Sequence, residues 1–444
     1  RQNNRLDERT TGDLKMMSRI IILGLLIALG SDVAAYPMDG YPYTSIERLE
    51  YVKRVYDHEI PGRPVPEGAA LPMQAVQPRL LDEPKQPFDF TSDPAVARKI
   101  AAALGNEAPE YGVVLLDISD PTRPIYAEHN GGVRRNIGSV GKLFVGIAWY
   151  QTLADLYPDP ADRERLLHDT VITADEIIRS DHHKVMFFEP DTNQRQYRTI
   201  EVGDQGTLWE WMDWMLSASN NSAAATMQEQ VMLLKHFGHN YPPTPEQKAE
   251  FFNEPRGELA ELYLSTLEDA TVRNGLDPEL SRQGSFFTRA GKNKVPTGTS
   301  SYGNPKELVK FLYLLEQGEI VDEWSSRDFK RMLYMTQRRI RYASHPVLVP
   351  YAVYFKSGSL YRCKEEEGFT CGQYMGNELN LLASVATIEG PVPGRDFHYL
   401  VAVSSNVLRV NSAVAHQTLA LRIHRMLEQL HAERDAEVLT SEVN

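Results

Sequence analysis

The sequence predicts an α+β fold in which an antiparallel five-stranded sheet is built from both ends of the chain and encloses an inserted helical subdomain. Strand patterns occur early and late in the chain, whereas residues 143–337 are mostly helical in pattern. Strands from the two ends that pair around a helical middle form one α+β domain. A chain of 444 residues has room for such a domain of roughly 250 to 350 residues together with extensions.

The beginning of the chain predicts an export signal. Residues 1–15 are polar and lack apolar periodicity, and we interpret them as upstream sequence. Residues 16–35 combine a basic start, a short apolar core and a small-residue end, which is the pattern of a secretory signal peptide. The alternative, a membrane anchor, needs roughly 20 apolar residues. We therefore expect a periplasmic or secreted protein without a stable membrane anchor after cleavage.

Residues 36–92 form a proline-rich N-terminal extension with one helical pattern at 45–55. So many prolines exclude a single regular element. The extension is either a linker or an arm that packs along the main domain, and its recurring Tyr, Leu and Phe residues favour the arm. The main domain is predicted to span residues 93–436, and residues 437–444 are expected to form a frayed tail.

The domain is predicted to start with a helix at 93–104, opened by Asp93 and Pro94. Two antiparallel strands follow, at 111–118 and 124–128. The helical middle is predicted at 161–167, 174–179, 207–217, 222–237, 245–273 and 305–317. The sheet resumes with strands at 351–355, 379–388 and 398–404, and a helix at 412–436 completes the domain.

Charge and cysteine content exclude several classes of protein. Lys and Arg number 47 against 60 Asp and Glu, and no basic stripe is present, so nucleic acid is not expected as a partner. Cys363 and Cys371 are too few for a disulfide scaffold or a zinc site, but in an exported protein they can form one bridge. Asp181, His182 and His183 lack a further ligand and are interpreted as a surface loop. No metal and no cofactor are predicted.

The first motif is formed by Ser139 and Lys142 at the head of a strongly apolar run. On a helix, residues three apart share one face, so the hydroxyl and the amine would lie about one turn apart. Alone the motif is weak, because a capped helix with a solvated lysine has the same sequence. The significance of the motif therefore depends on the other motifs in the sequence.

Two further motifs accompany it. Ser219 and Asn221 follow the apolar helix predicted at 207–217, and Lys356, Ser357 and Gly358 follow the strand predicted at 351–355. Alone, the first is typical of a helix cap and the second of a strand end. Three such motifs in this order, each on a suitable element, are not explained by chance alone.

This constellation resembles the active-site serine enzymes that comprise penicillin-binding DD-peptidases and class A β-lactamases. Their signature is Ser-x-x-Lys, then Ser-x-Asn, then Lys-Thr/Ser-Gly, and the resemblance covers residues 93–427. Asn220 replaces the usual Asp of the second motif. The resemblance implies an antiparallel sheet with a helical insert and a β-lactam or cell-wall peptide as the small-molecule substrate. The oligomeric state stays open.

The resemblance gives the catalytic roles a physical logic. Ser139 would be the nucleophile and Lys142 the base, provided that the amine is neutral. Burial and a second cation, here Lys356, can lower the pKa of a lysine enough for this. Ser219 would pass a proton toward the leaving nitrogen.

The remaining site residues would bind the substrate. Asn221 would hold the side-chain amide, and the backbone N–H groups of Ser139 and Ser359 would form an oxyanion hole. Lys356 and Ser357, with Gly358 in the same motif, would bind the carboxylate that β-lactams and D-Ala-D-Ala peptides share.

The release of the acyl group is the step that the sequence leaves open. Class A β-lactamases use a Glu-x-x-Leu-Asn stretch to activate water, and the nearest match is Asp277, which opens Asp-Pro-Glu-Leu-Ser. A carboxylate shorter by one methylene can cost roughly 10²-fold in rate, and Asp277 can equally begin a turn. Three functions follow: a β-lactamase, a DD-peptidase or other penicillin-binding hydrolase, and an acylated sensor without turnover.

Overall fold

The computed structural model describes residues 37, 39–298, 301–334, 336, 339–390 and 397–442. The predicted signal peptide and the residues upstream of it lie outside the described residues. Within the described part of the chain, no helix combines the length and the apolar character needed to cross a membrane.

Thirteen helices and nine strands are numbered here along the described chain. The helices are α1 (Tyr41–Thr44), α2 (Glu47–Tyr56), α3 (Pro94–Leu104), α4 (Lys142–Leu156), α5 (Pro160–Asp169), α6 (Leu208–Leu216), α7 (Asn221–Phe237), α8 (Pro245–Phe251), α9 (Arg256–Arg273), α10 (Arg289–Lys294), α11 (Pro305–Glu316), α12 (Glu323–Tyr334) and α13 (Ser412–Glu442). The strands are β1 (Tyr111–Asp117), β2 (Ile125–His129), β3 (Val171–Thr173), β4 (Lys184–Glu189), β5 (Gln194–Thr199), β6 (Gln205–Thr207), β7 (Ala352–Arg362), β8 (Leu379–Glu389) and β9 (His398–Asn406).

The central sheet is antiparallel and has the order β2-β1-β9-β8-β7. Strand β1 from the first part of the chain pairs with β9 from the last part, with Val114 opposite Ala402. Both ends of the domain therefore share one sheet, and the helical middle is inserted between β2 and β7. The predicted α+β class with five antiparallel strands is confirmed.

The two faces of the sheet carry separate cores. Because successive strand residues point to opposite faces, Val114 and Leu116 of β1 pack toward the helical subdomain, whereas Val113 and Leu115 pack under the terminal helices α3 and α13. Helix α4 lies inside the first core and is buried from Lys142 through Leu153. A helix that is apolar on every face is typical of such a position.

The helical middle differs in detail from the prediction. The helix predicted at 174–179 is only a 3₁₀ turn (Glu176–Ile178), and the predicted helix at 245–273 is two helices separated near Pro255. Helix α12, the small pair β3 and β6, and the hairpin β4–β5 were not predicted. Strand β5 is polar and exposed, so it shows no apolar alternation. The third motif lies inside β7 and not at its end.

The proline-rich extension lies along the domain as an arm. Arg48 of α2 forms a buried ion pair with Asp213 of α6, with 2.5 Å between Nη2 and Oδ1 and side chains 1% and 0% exposed. Farther along, Leu80 N donates to Glu316 O at 2.9 Å. Ile46, Leu49 and Val52 of the arm are part of the first core. The arm interpretation therefore describes the contacts better than a linker does.

Replacing Arg48 with Met should lower the free energy of unfolding by about 3 to 5 kcal/mol, because Asp213 would stay buried without its cation. Chemical denaturation measures the loss. The matched control is Lys53→Met on the same helix, since Lys53 pairs with Asp57 at the surface and should change stability by at most about 1 kcal/mol. A loss no larger for Arg48→Met than for the control would contradict an integral arm.

Candidate active site

The turn that carries Ser139 packs closely against strand β7. Residues Gly138–Gly141 form a 3₁₀ turn that runs into α4, and Gly138 has a φ of +53° that favours glycine. A Cβ added at Gly358 would overlap Ile137 O and Ser139 N, and one added at Gly138 would lie 3.1 Å from Ser359 N. The close approach thus brings the amides of Ser139 and Ser359 together, as an oxyanion hole requires.

Lys142 lies beside Ser139 in a desolvated position. Its Nζ is 3.0 Å from Ser139 Oγ, 2.7 Å from Ser219 O and 2.8 Å from Asn221 Oδ1, and the residue is fully buried. Burial lowers the pKa of Lys142 to about 7, although the negative charge of Asp181 acts in the opposite direction. At neutral pH a large share of Lys142 is therefore a free amine that can accept the hydroxyl proton.

Ser219 accepts hydrogen bonds from two lysines, Lys142 and Lys356. Its backbone φ of +58° is unusual for a non-glycine residue, and strain of this kind concentrates at functional sites. Lys356 Nζ donates to Ser219 Oγ at 2.7 Å, while the carbonyl of the same residue accepts from Lys142. Burial lowers the pKa of Lys356, and the positive charges of Lys142 and Arg341 lower it further. An anionic ligand would supply the counter-charge that this cluster needs.

The carboxylate of Asp181 holds the loop before α7. Asp181 was assigned to a surface loop, but its side chain is 3% exposed. Its Oδ2 accepts from the backbone N–H groups of Asn221 and Ser222 at 2.8 and 3.0 Å. Burial acts to raise the pKa of Asp181, but the hydrogen bond and charge of His183 and the backbone donors hold it below its usual value. Asp181 therefore positions Asn221 against Lys142.

Comparison with solved structures finds folds of the same kind. The chain is similar to a β-lactamase from Sphaerobacter thermophilus at 16% identity and a TM-score of 0.47, over 74% of this chain and 94% of that chain. It is similar to a class A β-lactamase from Bacteroides cellulosilyticus at 14% identity and a TM-score of 0.48, over 75% and 96% of the two chains. It is also similar to PBP-A at 11% identity and a TM-score of 0.47, over 78% and 99%.

No protein-family model matches the sequence, and no curated protein matches it significantly. Identities and TM-scores this low carry no argument about this chain. The assignment of chemistry to this chain therefore depends on its own site.

Arg341 is a site residue that the sequence analysis missed. Its Nη1 donates to Ser357 Oγ at 2.8 Å and its Nη2 donates to Ser359 Oγ at 3.0 Å. Burial lowers the pKa of Arg341, yet a guanidinium stays charged at neutral pH. Arg341 lies well before the third motif and has no motif of its own, so only the fold brings it there. It adds a second cation beside Lys356 in the lining of the cleft.

The structure does not bring Asp277 to this cluster. Asp277 is exposed on a turn after α9, where its Oδ1 accepts from Glu279 N at 2.8 Å and its own N–H donates to Glu307 Oε2 at 3.0 Å. It is not among the described residues that line the cleft. The segment that reaches Lys142 instead carries Phe287, whose ring centre lies 4.5 Å from Lys142 Nζ. The carboxylate of Asp277 stabilises the surface turn in which it lies.

The cleft in front of Ser139 has a volume of about 530 Å³, which is within the usual range for a small-molecule site. Cys363 and Cys371 are joined by a disulfide in the loop that follows β7. The same loop lends Gln373 and Tyr374 to the cleft, and the ring of Tyr374 lies 4.9 Å from the Arg341 guanidinium. The disulfide therefore tethers a wall of the cleft.

One group of side chains elsewhere has the composition of a metal site. Glu316, Glu389 and His398 bring three ligand atoms within 4.8 Å of one another. However, Lys330 Nζ lies 2.7 Å from Glu316 and also contacts Glu389, and it is fully buried. The lysine already supplies the positive charge between the two carboxylates, so the group is better suited to an internal ion pair than to a metal ion.

Proposed function

We propose that this chain is an exported active-site serine hydrolase that opens β-lactam-type cyclic amides through an acyl-enzyme on Ser139. The observation that carries the proposal is Lys142, a buried amine with a pKa of about 7 that lies 3.0 Å from the hydroxyl of Ser139. A base with its pKa near the working pH is the most effective proton acceptor. Export is proposed from the signal-peptide pattern at residues 16–35.

In this proposal Lys142 takes the proton of Ser139 as the oxygen attacks the carbonyl carbon. The N–H groups of Ser139 and Ser359 stabilise the resulting oxyanion; one such donor contributes roughly 2.7 to 4 kcal/mol to barrier lowering. Ser219 then gives its proton to the leaving nitrogen as the C–N bond breaks, and Lys356 is placed to restore that proton. The product is an ester between the acyl group and Ser139.

Substrate binding in this proposal uses both sides of the nucleophile. Asn221 already directs its Oδ1 toward Lys142, which leaves its NH₂ group for the substrate's side-chain amide. Lys356, Arg341 and Ser357 bind the carboxylate on the leaving-group side. Paired cationic and hydroxyl donors are well suited to a carboxylate.

Release of the acyl group is proposed to be slow. Rapid hydrolysis needs a placed base for the attacking water, and Asp277 is held on a surface turn while Phe287 lies next to Lys142. This arrangement favours a second candidate function, a DD-peptidase-like or other penicillin-binding hydrolase that acts on cell-wall peptides. A sensor that stays acylated is the limiting case of the same chemistry.

The deciding experiment mixes the protein with a chromogenic β-lactam and follows both colour and intact mass. We expect one adduct per chain, mapped to the peptide that contains Ser139, and a return to free mass that is slower than adduct formation. Fast turnover without an accumulating adduct would contradict slow release and support a β-lactamase. Release of D-alanine from a D-Ala-D-Ala peptide would support the peptidase. Neither adduct nor hydrolysis would contradict the proposal.

A further inference from the structure

The cleft is lined by cationic groups, although the protein as a whole carries a negative charge. The chain carries a formal charge of −13, yet the cationic or ionisable nitrogen groups that line the cleft are Lys184, Lys356, Arg341, His182 and His183. No Asp or Glu occurs among the described residues that line it. A cleft lined by one sign of charge concentrates ligands of the opposite sign.

These groups fall into two sets that lie on different segments of the chain. Lys356 and Arg341 belong to the wall formed by β7 and the segment before it, where Arg341 donates to the hydroxyls of Ser357 and Ser359 and Lys356 Nζ donates to Ser357 O at 3.3 Å. They are the groups that the proposed function already assigns to one carboxylate. That carboxylate belongs to the leaving-group side of the substrate.

The second set consists of His182, His183 and Lys184, at the start of β4. Their segment is attached to the loop that bears Ser219 and Asn221, because Asn220 Nδ2 donates to His183 O at 2.9 Å. The second set therefore lies on the same side as Asn221, where the acyl side chain of a substrate would bind.

Lys184 is the cation of this set that is left without a counter-charge. Asp181 is committed to its neighbours, since its Oδ1 lies 2.6 Å from His183 Nδ1 and accepts from His182 N at 2.8 Å. Lys184 is exposed and has no ion pair with a carboxylate within the described part of the chain. A carboxylate on the ligand would fill that role.

We propose that the cleft selects dianionic substrates, in which a second carboxylate on the acyl side chain is bound by Lys184 with help from His182. The inference rests on the proposed function and names its substrate class. The first carboxylate binds at Lys356 and Arg341, and the scissile amide lies between the two at Ser139. A substrate with only the first carboxylate reacts, but more slowly.

The test compares two penicillins that differ by one group, benzylpenicillin and carbenicillin, which is its side-chain carboxylate analogue. The second-order rate constant of Ser139 acylation is measured by intact mass, or as kcat/KM where release is too fast for the adduct to accumulate, because neither value contains the rate of release. The parent protein should react about fivefold faster with carbenicillin at low ionic strength, as one added ion pair predicts. Added salt should reduce this ratio.

Single substitutions test which side chain causes the preference for carbenicillin. Lys184→Gln should bring the ratio of the two rate constants to about one, because it removes the cation that binds only the second carboxylate and so slows carbenicillin more than benzylpenicillin. The matched control is Lys306→Gln, an exposed lysine near Glu128 and away from the cleft, which should keep the parent ratio. Arg341→Gln should slow both penicillins alike, because both carry the first carboxylate.

Two results would overturn the inference. One is a parent protein that reacts equally with both penicillins, and the other is a Lys184→Gln variant that keeps the parent ratio. A protein that neither forms a Ser139 adduct with either compound nor hydrolyses it would overturn the proposed function and this inference together. Adduct formation without a charge preference would leave the proposed function standing and reject the inference.

Discussion

Replacing Ser139 with Ala should abolish the β-lactam adduct and any hydrolysis of the chromogenic substrate. The hydroxyl is the group that forms the ester, and its neighbours Lys142 and Ser219 already have other partners. Loss of the nucleophile in serine hydrolases costs roughly 10⁶-fold in rate. Intact mass after extended incubation and the colour assay both report this loss.

Ser217→Ala is the matched control for this variant. Ser217 also lines the cleft, but its hydroxyl donates to Asp213 O at 2.7 Å and has no role in the proposed chemistry. The control should form the adduct at close to the parent rate, and thermal unfolding should show that both variants are folded. An adduct of unchanged yield on Ser139→Ala would identify another nucleophile and disprove the assignment.

The sequence was sufficient for the centre of the site because each part of it is a short run of residues on one element. Ser139 and Lys142 lie on one helical turn, and Lys356 lies in a strand with Ser357 and Gly358. Their local spacing fixes how they face one another. Hydrophobic patterns at both chain ends were likewise enough for the five-stranded sheet, since buried strands are continuous in apolar sequence.

The sequence was not sufficient where a contact joins distant segments without a local pattern. Arg341 lies in a stretch with no clear periodicity, and its φ of +55° gives no recognisable sequence signal for a non-glycine residue. Asp181 looked like part of a polar surface loop, although its carboxylate is buried at the start of α7. Such pairings are decided by tertiary packing, which overrides local propensity.

Asp277 illustrates the opposite case, a local pattern without the tertiary position. Its stretch is the nearest match to the Glu-x-x-Leu-Asn of class A β-lactamases, but its carboxylate accepts from Glu279 N and stays at the surface. A short sequence match predicts a turn, but it does not predict whether that turn faces the cleft. The segment that reaches Lys142 instead carries Phe287, whose ring cannot act as a base.

The acylation rate of the parent protein should fall as the pH is lowered through about 7, because Lys142 must lose its proton to act as a base. Its pKa is lowered by burial from an ordinary value of 10.5 to about 7. Below that pH the neutral fraction, and with it the rate, should drop about tenfold per pH unit. The measurement is the rate of adduct formation with benzylpenicillin between pH 5 and 9.

Lys142→Met should slow acylation by about 10² to 10⁴-fold and remove the midpoint near pH 7. The variant should not be less stable near neutral pH. In the parent, the unfolded chain binds a proton at Lys142 that the folded chain lacks between pH 7 and 10.5, so the free energy of unfolding rises with pH across that window. Met removes this cost of burying an amine, and its stability should lose that part of the pH dependence.

Lys142→Arg separates the base from the charge. Arginine keeps a cation next to Ser139 but cannot give up its proton at these pH values, so this variant should be as slow as Lys142→Met. If Lys142→Arg acylated at the parent rate, the positive charge and not the free amine would be what the site needs. If Lys142→Met kept the midpoint near pH 7, a group other than Lys142 would be the titrating base.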